Sequence, residues 1–113
     1  VKVGDEIIAK VQQLVNLTRP DHSDVSEVKE YIDGQDGGGA SPRAGIHILR
    51  TARSHAAICG REFVSPEDVG TVLLPVLRHR LIFRPDLAMS SVKQREQLLA
   101  QIVDRIFQRV WAQ

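Results

Sequence analysis

Ser41-Pro42-Arg43 places a guanidinium where a helix ordinarily disfavours one. Ser41 reads as an N-cap, Pro42 as the first helical residue, and Arg43 falls in the first turn. A helix N-terminus carries roughly half a positive charge, so a cation there costs about 0.3–1 kcal/mol. The placement makes sense if an anion meets both the arginine and the free backbone N–H groups, and phosphate is the usual anion at such a site. The alternative is that Arg43 points into water beside Asp33 or Asp36.

Other residues with chemical potential form weaker patterns. His22, His47, His55 and His79 do not make a metal site: His47 and His55 lie eight apart on one helix, and no Cys/His pair has ligand spacing. Arg50, Arg53 and Arg61 with His55 form either a basic patch or, the favoured reading at this net charge, a solvated helix face. Arg78-His79-Arg80 closes a helix with positive charge, which the C-terminal dipole favours, and the trio either caps that helix or faces another subunit or domain. Cys59, in an apolar helical setting, reads as a small core residue rather than a nucleophile. No Gly-x-x-x-x-Gly-Lys-Ser/Thr phosphate loop and no acidic strand-end pair for magnesium occur in the chain. Arg43 would therefore stabilise phosphoryl charge only within a site whose positioning and metal come from elsewhere.

The 113 residues suit one domain with a modest core. Hydrophobic residues make up 42% and aromatics only 4%, so that core rests on Leu, Ile, Val and Ala, which suits packed helices. A formal charge of +1 gives no field strong enough to argue for nucleic acid or an anionic membrane as partner. A single cysteine rules out an internal disulfide and fits a reducing, cytoplasmic compartment. No apolar run approaches the about 20 residues of a membrane span, and no signal peptide is evident. The first residue, Val1 rather than Met, points to a piece of a longer protein.

Helical periodicity runs through most of the chain. Ile7, Ile8, Val11, Leu14 and Val15 share one stripe between Asp5 and Leu17, ended by Thr18-Arg19-Pro20. A short helix is expected around Val25 to Ile32. Asp33 to Gly39 holds four glycines in seven residues and is expected to be a mobile loop. The helix after Ser41 should run to about Cys59, with Ile48, Leu49, Ala52, Ala56 and Cys59 inward and Gly60 as left-handed terminator. Ser65-Pro66-Glu67-Asp68 is a strong start signal: Ser65 caps, Asp68 takes the reciprocal position of a capping box, and Val64 with Val69 can form a hydrophobic staple. Pro75 inside the following stripe predicts a kink or an irregular turn. Leu81-Ile82-Phe83 reads as extended, and Ser90 or Ser91 should cap a long last helix to about Trp111. The fold expected is an all-α bundle of four to five helices with one Gly-rich loop.

Val28-Lys29-Glu30-Tyr31-Ile32, Gly39-Ala40-Ser41-Pro42-Arg43-Ala44, Ala52-Arg53-Ser54-His55-Ala56, Gly60-Arg61-Glu62-Phe63-Val64-Ser65-Pro66-Glu67-Asp68-Val69 and Val76-Leu77-Arg78-His79-Arg80-Leu81 occur in that order. In order and spacing they resemble the C-terminal lid domain of MoxR-type AAA+ ATPases, over about Val1 to Phe83 and by extension through the last helix. The departure is the loop Asp33-Gly34-Gln35-Asp36-Gly37-Gly38, longer than the family's usual approach to Ser-Pro-Arg. The resemblance implies that the whole of 1–113 is a lid, with its ATPase core outside this chain. It implies that Arg43 is the sensor 2 arginine that reaches nucleotide phosphates, with Ser41 and Pro42 beside it, and that Arg78, His79 and Arg80 serve an interface. It further implies ATP and Mg as cofactors held through the core domain, ring-forming neighbouring subunits (a hexamer), chaperone-like remodelling, and partnership with a von Willebrand factor A domain protein. The chain alone would then not be catalytic.

A second class stays open at this level: a free-standing helical adaptor or helix-turn-helix module. The helices after Ser41 and Ser65 are joined by a short connector, as that motif requires. Against it, Glu67 and Asp68 make the start of the second helix acidic where a recognition helix would meet phosphates.

Overall fold

The protein is described here by a computed structural model covering residues 1–33, 39–78, 80–84 and 91–111, without the Pro42 side chain. Five helices follow one another: α1 (Asp5–Leu17), α2 (Ser26–Tyr31), α3 (Pro42–Ile58), α4 (Pro66–Leu77) and α5 (Val92–Trp111). Among the described residues the only β pairing is two isolated bridges, Lys2 with Phe63 and Ile32 with Phe83. The fold is all-α, as the periodicity predicts. The expected mobility of Asp33 to Gly39 falls mostly outside the described residues.

Local chemistry sets several of the helix ends. Asp5 and Glu6 sit in the first turn of α1, where they complement the dipole. Ser91 caps α5, its hydroxyl accepting from the Gln94 N–H at 3.1 Å, whereas Ser90 lies outside the described residues. At the end of α3 the Gly60 and Arg61 N–H groups reach back to the Ala57 and Ala56 carbonyls at 3.0 and 2.9 Å. That is a Schellman turn, and it requires the left-handed conformation that Gly60 adopts at φ +77°. α4 carries the complete capping box: the Asp68 N–H donates to the Ser65 hydroxyl while the Ser65 N–H donates to the Asp68 carboxylate. It continues only two residues beyond Pro75, which is exposed. Losing one cap acceptor of this kind costs about 1 kcal/mol, so Ser65→Ala should lower the urea midpoint by that much stability. An unchanged midpoint would mean the box is not holding α4.

One core joins the elements. Ala44, Ile48, Ala52 and Ala56, spaced four apart along α3, are fully buried. This stripe of mostly small side chains allows close approach, and α3 packs mainly on α4 and α1. Val69, Leu73 and Leu77 of α4 meet Leu99, Ile102 and Ile106 of α5 in the same core. Gly70 makes room for the Phe107 ring, since a Cβ there would stand 3.1 Å from its tip. The far ends are tied by polar bonds: Lys10 Nζ donates to the Val110 carbonyl at 3.1 Å, and Arg105 and Arg109 of α5 pair with Glu27 in α2 and Asp24 just before it at 2.9 and 2.7 Å. The extended run 81–84 closes the bundle, with the Asp33 N–H donating to the Ile82 carbonyl and the Arg84 N–H to the Tyr31 carbonyl.

Cys59 corrects the sequence reading. It is exposed rather than buried, because α3 ends at Ile58 and the Schellman turn peels the chain off the core at that residue. Neighbouring Ile58, the last residue of α3 and on the face away from buried Ala56, is 85% exposed.

Candidate functional site

The start of α3 holds the candidate. Pro42 is the first helical residue, and its fixed φ begins the helix without wasting a donor. Arg43 follows in the first turn with its side chain exposed, and no acidic residue occupies that turn. Among the described residues Arg43 has no hydrogen-bond or ion-pair partner. Ser41 occupies the N-cap position in extended conformation (φ −81°, ψ 166°), but its hydroxyl makes no cap bond. The expectation that Ser41 caps through its side chain is therefore corrected. The Ala44 N–H is met by the Ser41 carbonyl at 2.9 Å, but no side chain caps the start of the helix.

What holds this turn in place comes from far away in sequence. The Thr18 hydroxyl at the end of α1 accepts from the Ala40 N–H at 2.9 Å, and Arg19 Nε donates to the Ala40 carbonyl at 3.2 Å. Sequence reading treated Thr18 and Arg19 only as a helix stop before Pro20. The signal that was present is a threonine at a helix end, which can keep a hydroxyl free for a partner.

The histidine and arginines considered as a basic patch are divided by the structure. Asp68 is fully buried, and its carboxylate receives His55 Nδ1 at 2.7 Å, Arg61 Nη2, the Ser65 N–H at 2.7 Å and the Ser65 hydroxyl at 3.0 Å. Burial pushes the Asp68 carboxyl up, but the Ser65 backbone N–H, His55, Arg61 and the Ser65 hydroxyl outweigh it. Together they hold it well below the ordinary carboxylate range. Arg50 stays on the exposed helix face, and Arg53 Nε reaches the Val1 carbonyl at 3.2 Å. A group with a depressed folded pKa contributes stability that is present above its unfolded value and lost as pH falls through the folded one. The domain should thus lose stability progressively below about pH 4, and Asp68→Asn should flatten that acid limb in pH-dependent urea titrations. A limb of equal slope in the variant would remove Asp68 as its cause.

Arg78 pairs with Glu96 of α5 at 3.2 Å, each side chain about two-fifths exposed. Arg80 is exposed, and His79 lies outside the described residues. Among the described residues no three His, Cys, Asp or Glu side chains are grouped to hold a metal ion. No helix described is long and apolar enough to cross a membrane.

The small all-α bundle with an exposed arginine at the start of its second long helix matches a known class. The sequence pattern of the AAA lid domain covers residues 37–102, from the approach to α3 through most of α5. The chain belongs to the AAA lid domain family. Its relatives make it a lid of the MoxR-type AAA+ ATPases. It is 33% identical over 109 residues to the chaperone MoxR1 of Mycobacterium tuberculosis, covering 96% of this chain and 26% of that protein. It is 41% identical over 70 residues to the protein MoxR of Paracoccus denitrificans, covering 62% of this chain and 20% of that one. A crystal structure of a candidate ATPase from Cytophaga hutchinsonii superposes with a TM-score of 0.78 at 29% identity, over 97% of this chain and 31% of the other. The chain thus spans about a fifth to a third of the length of the proteins it matches.

Proposed function

We propose that this chain is the lid of a longer MoxR-type ATPase and that Arg43 is its sensor 2 arginine, reaching from the lid to the phosphates of ATP bound in the core domain. The observation that carries this reading is the exposed Arg43, without a partner among the described residues, in the first turn of a helix whose N-cap side chain makes no cap bond. A phosphate fits there: it would receive a charge-assisted fork from the guanidinium and face the positive end of α3. Ser41 and Pro42 shape that turn and bring its backbone toward the nucleotide. Magnesium, like ATP, is assigned on this reading to the core domain.

On this reading the lid closes over ATP through Arg43 and passes the nucleotide state to the rest of the machine. Arg80, exposed past the end of α4, and His79 are assigned to contacts with the core or with neighbouring subunits of a hexameric ring, while Arg78 is already engaged with Glu96. Chaperone-like remodelling in the cytoplasm, with a von Willebrand factor A domain protein as partner, completes the proposal. The test is steady-state ATP hydrolysis by the full-length protein with Arg43 replaced by Ala and by Lys, against nucleotide affinity measured separately.

A further inference from the structure

Ala40, two residues before α3, is 1% exposed, and both of its backbone groups are bound to consecutive residues at the end of α1. Thr18 makes the first of these bonds from a fully buried position. Its hydroxyl donates to the Val15 carbonyl at 2.6 Å, which turns the oxygen lone pairs toward the Ala40 N–H. Arg19 makes the second bond through Nε. Gly39 completes the joint: a Cβ there would lie 2.8 Å from the Thr18 carbonyl oxygen and 2.9 Å from Arg19 Cα. Both of those atoms are backbone and cannot swing aside, so residue 39 must be glycine for the two segments to meet this closely.

We propose that Thr18 is a positioning residue for Arg43, clamping the entry of α3 so that the arginine is presented at a fixed place; the proposal rests on the reading of Arg43 as the phosphate-facing arginine. The chain between clamp and arginine has little freedom. Ala40 is pinned, Ser41 is extended, and Pro42 has its φ set by its ring. The Cα–Cβ direction of Arg43 is therefore decided by where Thr18 holds Ala40. With no Ser41 side-chain cap, no local bond substitutes for the clamp. A displacement of about 1 Å at a positioning group can lower turnover by about a hundredfold, so a joint of this kind matters to rate as well as to folding. It also gives the end of α1 a mechanical connection to the nucleotide site.

Thr18→Val keeps the side-chain shape and removes the hydroxyl, leaving the Ala40 N–H without its acceptor; Thr18→Ser restores the oxygen. In this chain, hydrogen exchange at the Ala40 amide should quicken at least about tenfold in Thr18→Val and return toward wild type in Thr18→Ser, while amides of α4 and α5 keep their protection. In the full-length protein Thr18→Val should lower ATP turnover by about tenfold, Thr18→Ser by no more than about twofold, and Thr18→Val should cost nothing further in an Arg43→Ala background. An impaired Arg43→Ala beside a wild-type Thr18→Val overturns the positioning role, as does a Thr18→Val loss that adds fully to that of Arg43→Ala. If Arg43→Ala itself hydrolyses ATP like wild type, it is the reading of Arg43 that fails. The clamp is then judged on exchange alone, and an Ala40 amide equally protected in Thr18→Val and wild type overturns it.

Discussion

Arg43→Ala should lower ATP hydrolysis by the full-length protein at least tenfold and leave this domain folded. The fold should survive because Arg43 is exposed and contributes no bond among the described residues. Removing a cation from a helix N-terminus even relieves about 0.3–1 kcal/mol of unfavourable dipole interaction. The activity should fall because a charge-assisted contact to phosphate is worth about 1.5–3 kcal/mol. Realised mainly in the transition state, that is roughly one to two decades in rate. Arg43→Lys should recover only part of it, since lysine keeps the charge but loses the planar fork. If the contact is made equally to bound ATP and to the transition state, KM rises and kcat holds; if it forms as charge develops, kcat falls. Wild-type turnover together with wild-type ATP affinity in Arg43→Ala would make Arg43 an ordinary surface residue.

The helices were legible because their signals are local. Ser65-Pro66-Glu67-Asp68 contains its own capping box, and Gly60 terminates α3 through bonds reaching back only five residues. The apolar stripes of α1, α4 and α5 face the core as their periodicity requires. What the sequence concealed depends on distance along the chain. Thr18 holds Ala40 from 22 residues away, and nothing in the spelling of Gly39-Ala40-Ser41 announces it. Ser41 takes the N-cap position its local sequence predicts, without the side-chain bond. His55 and Arg61 read as part of a basic face because charge was counted by type. Their actual partner, Asp68, became visible only once the Gly60 turn had carried Arg61 back against α4. Cys59 was misplaced by extending the α3 stripe one step past the point where the helix ends. Arg43 stands out for the opposite reason: its position conflicts with the local dipole, and it is this conflict that motivates the proposal for it.

The second large effect belongs to Asp68. Asp68→Ala should destabilise the domain by about 2–3 kcal/mol, more than any single cap substitution, because one carboxylate serves two structures. One oxygen closes the capping box with the Ser65 N–H and hydroxyl; the other receives His55 and Arg61. The cost stays below the about 3–5 kcal/mol seen when a buried ion pair is broken. The reason is that His55 and Arg61 are 31% and 40% exposed and can turn to water, whereas Asp68 is fully buried. For a domain of this size such a loss corresponds to a Tm lower by about 10–15 °C. Asp68→Asn keeps the volume and one carbonyl acceptor, so it should fall between wild type and Ala. His55→Ala and Arg61→Ala should each cost about 1 kcal/mol or less, being partly screened. In an Asp68→Ala background both should become nearly neutral, because the partner they address is gone. Thermal unfolding followed by circular dichroism on the four single and two double variants measures all of this. A full, undiminished cost of His55→Ala or Arg61→Ala in the absence of Asp68 would show that those side chains stabilise the turn through packing, and that the carboxylate is not the hub joining α3, the Gly60 turn and α4.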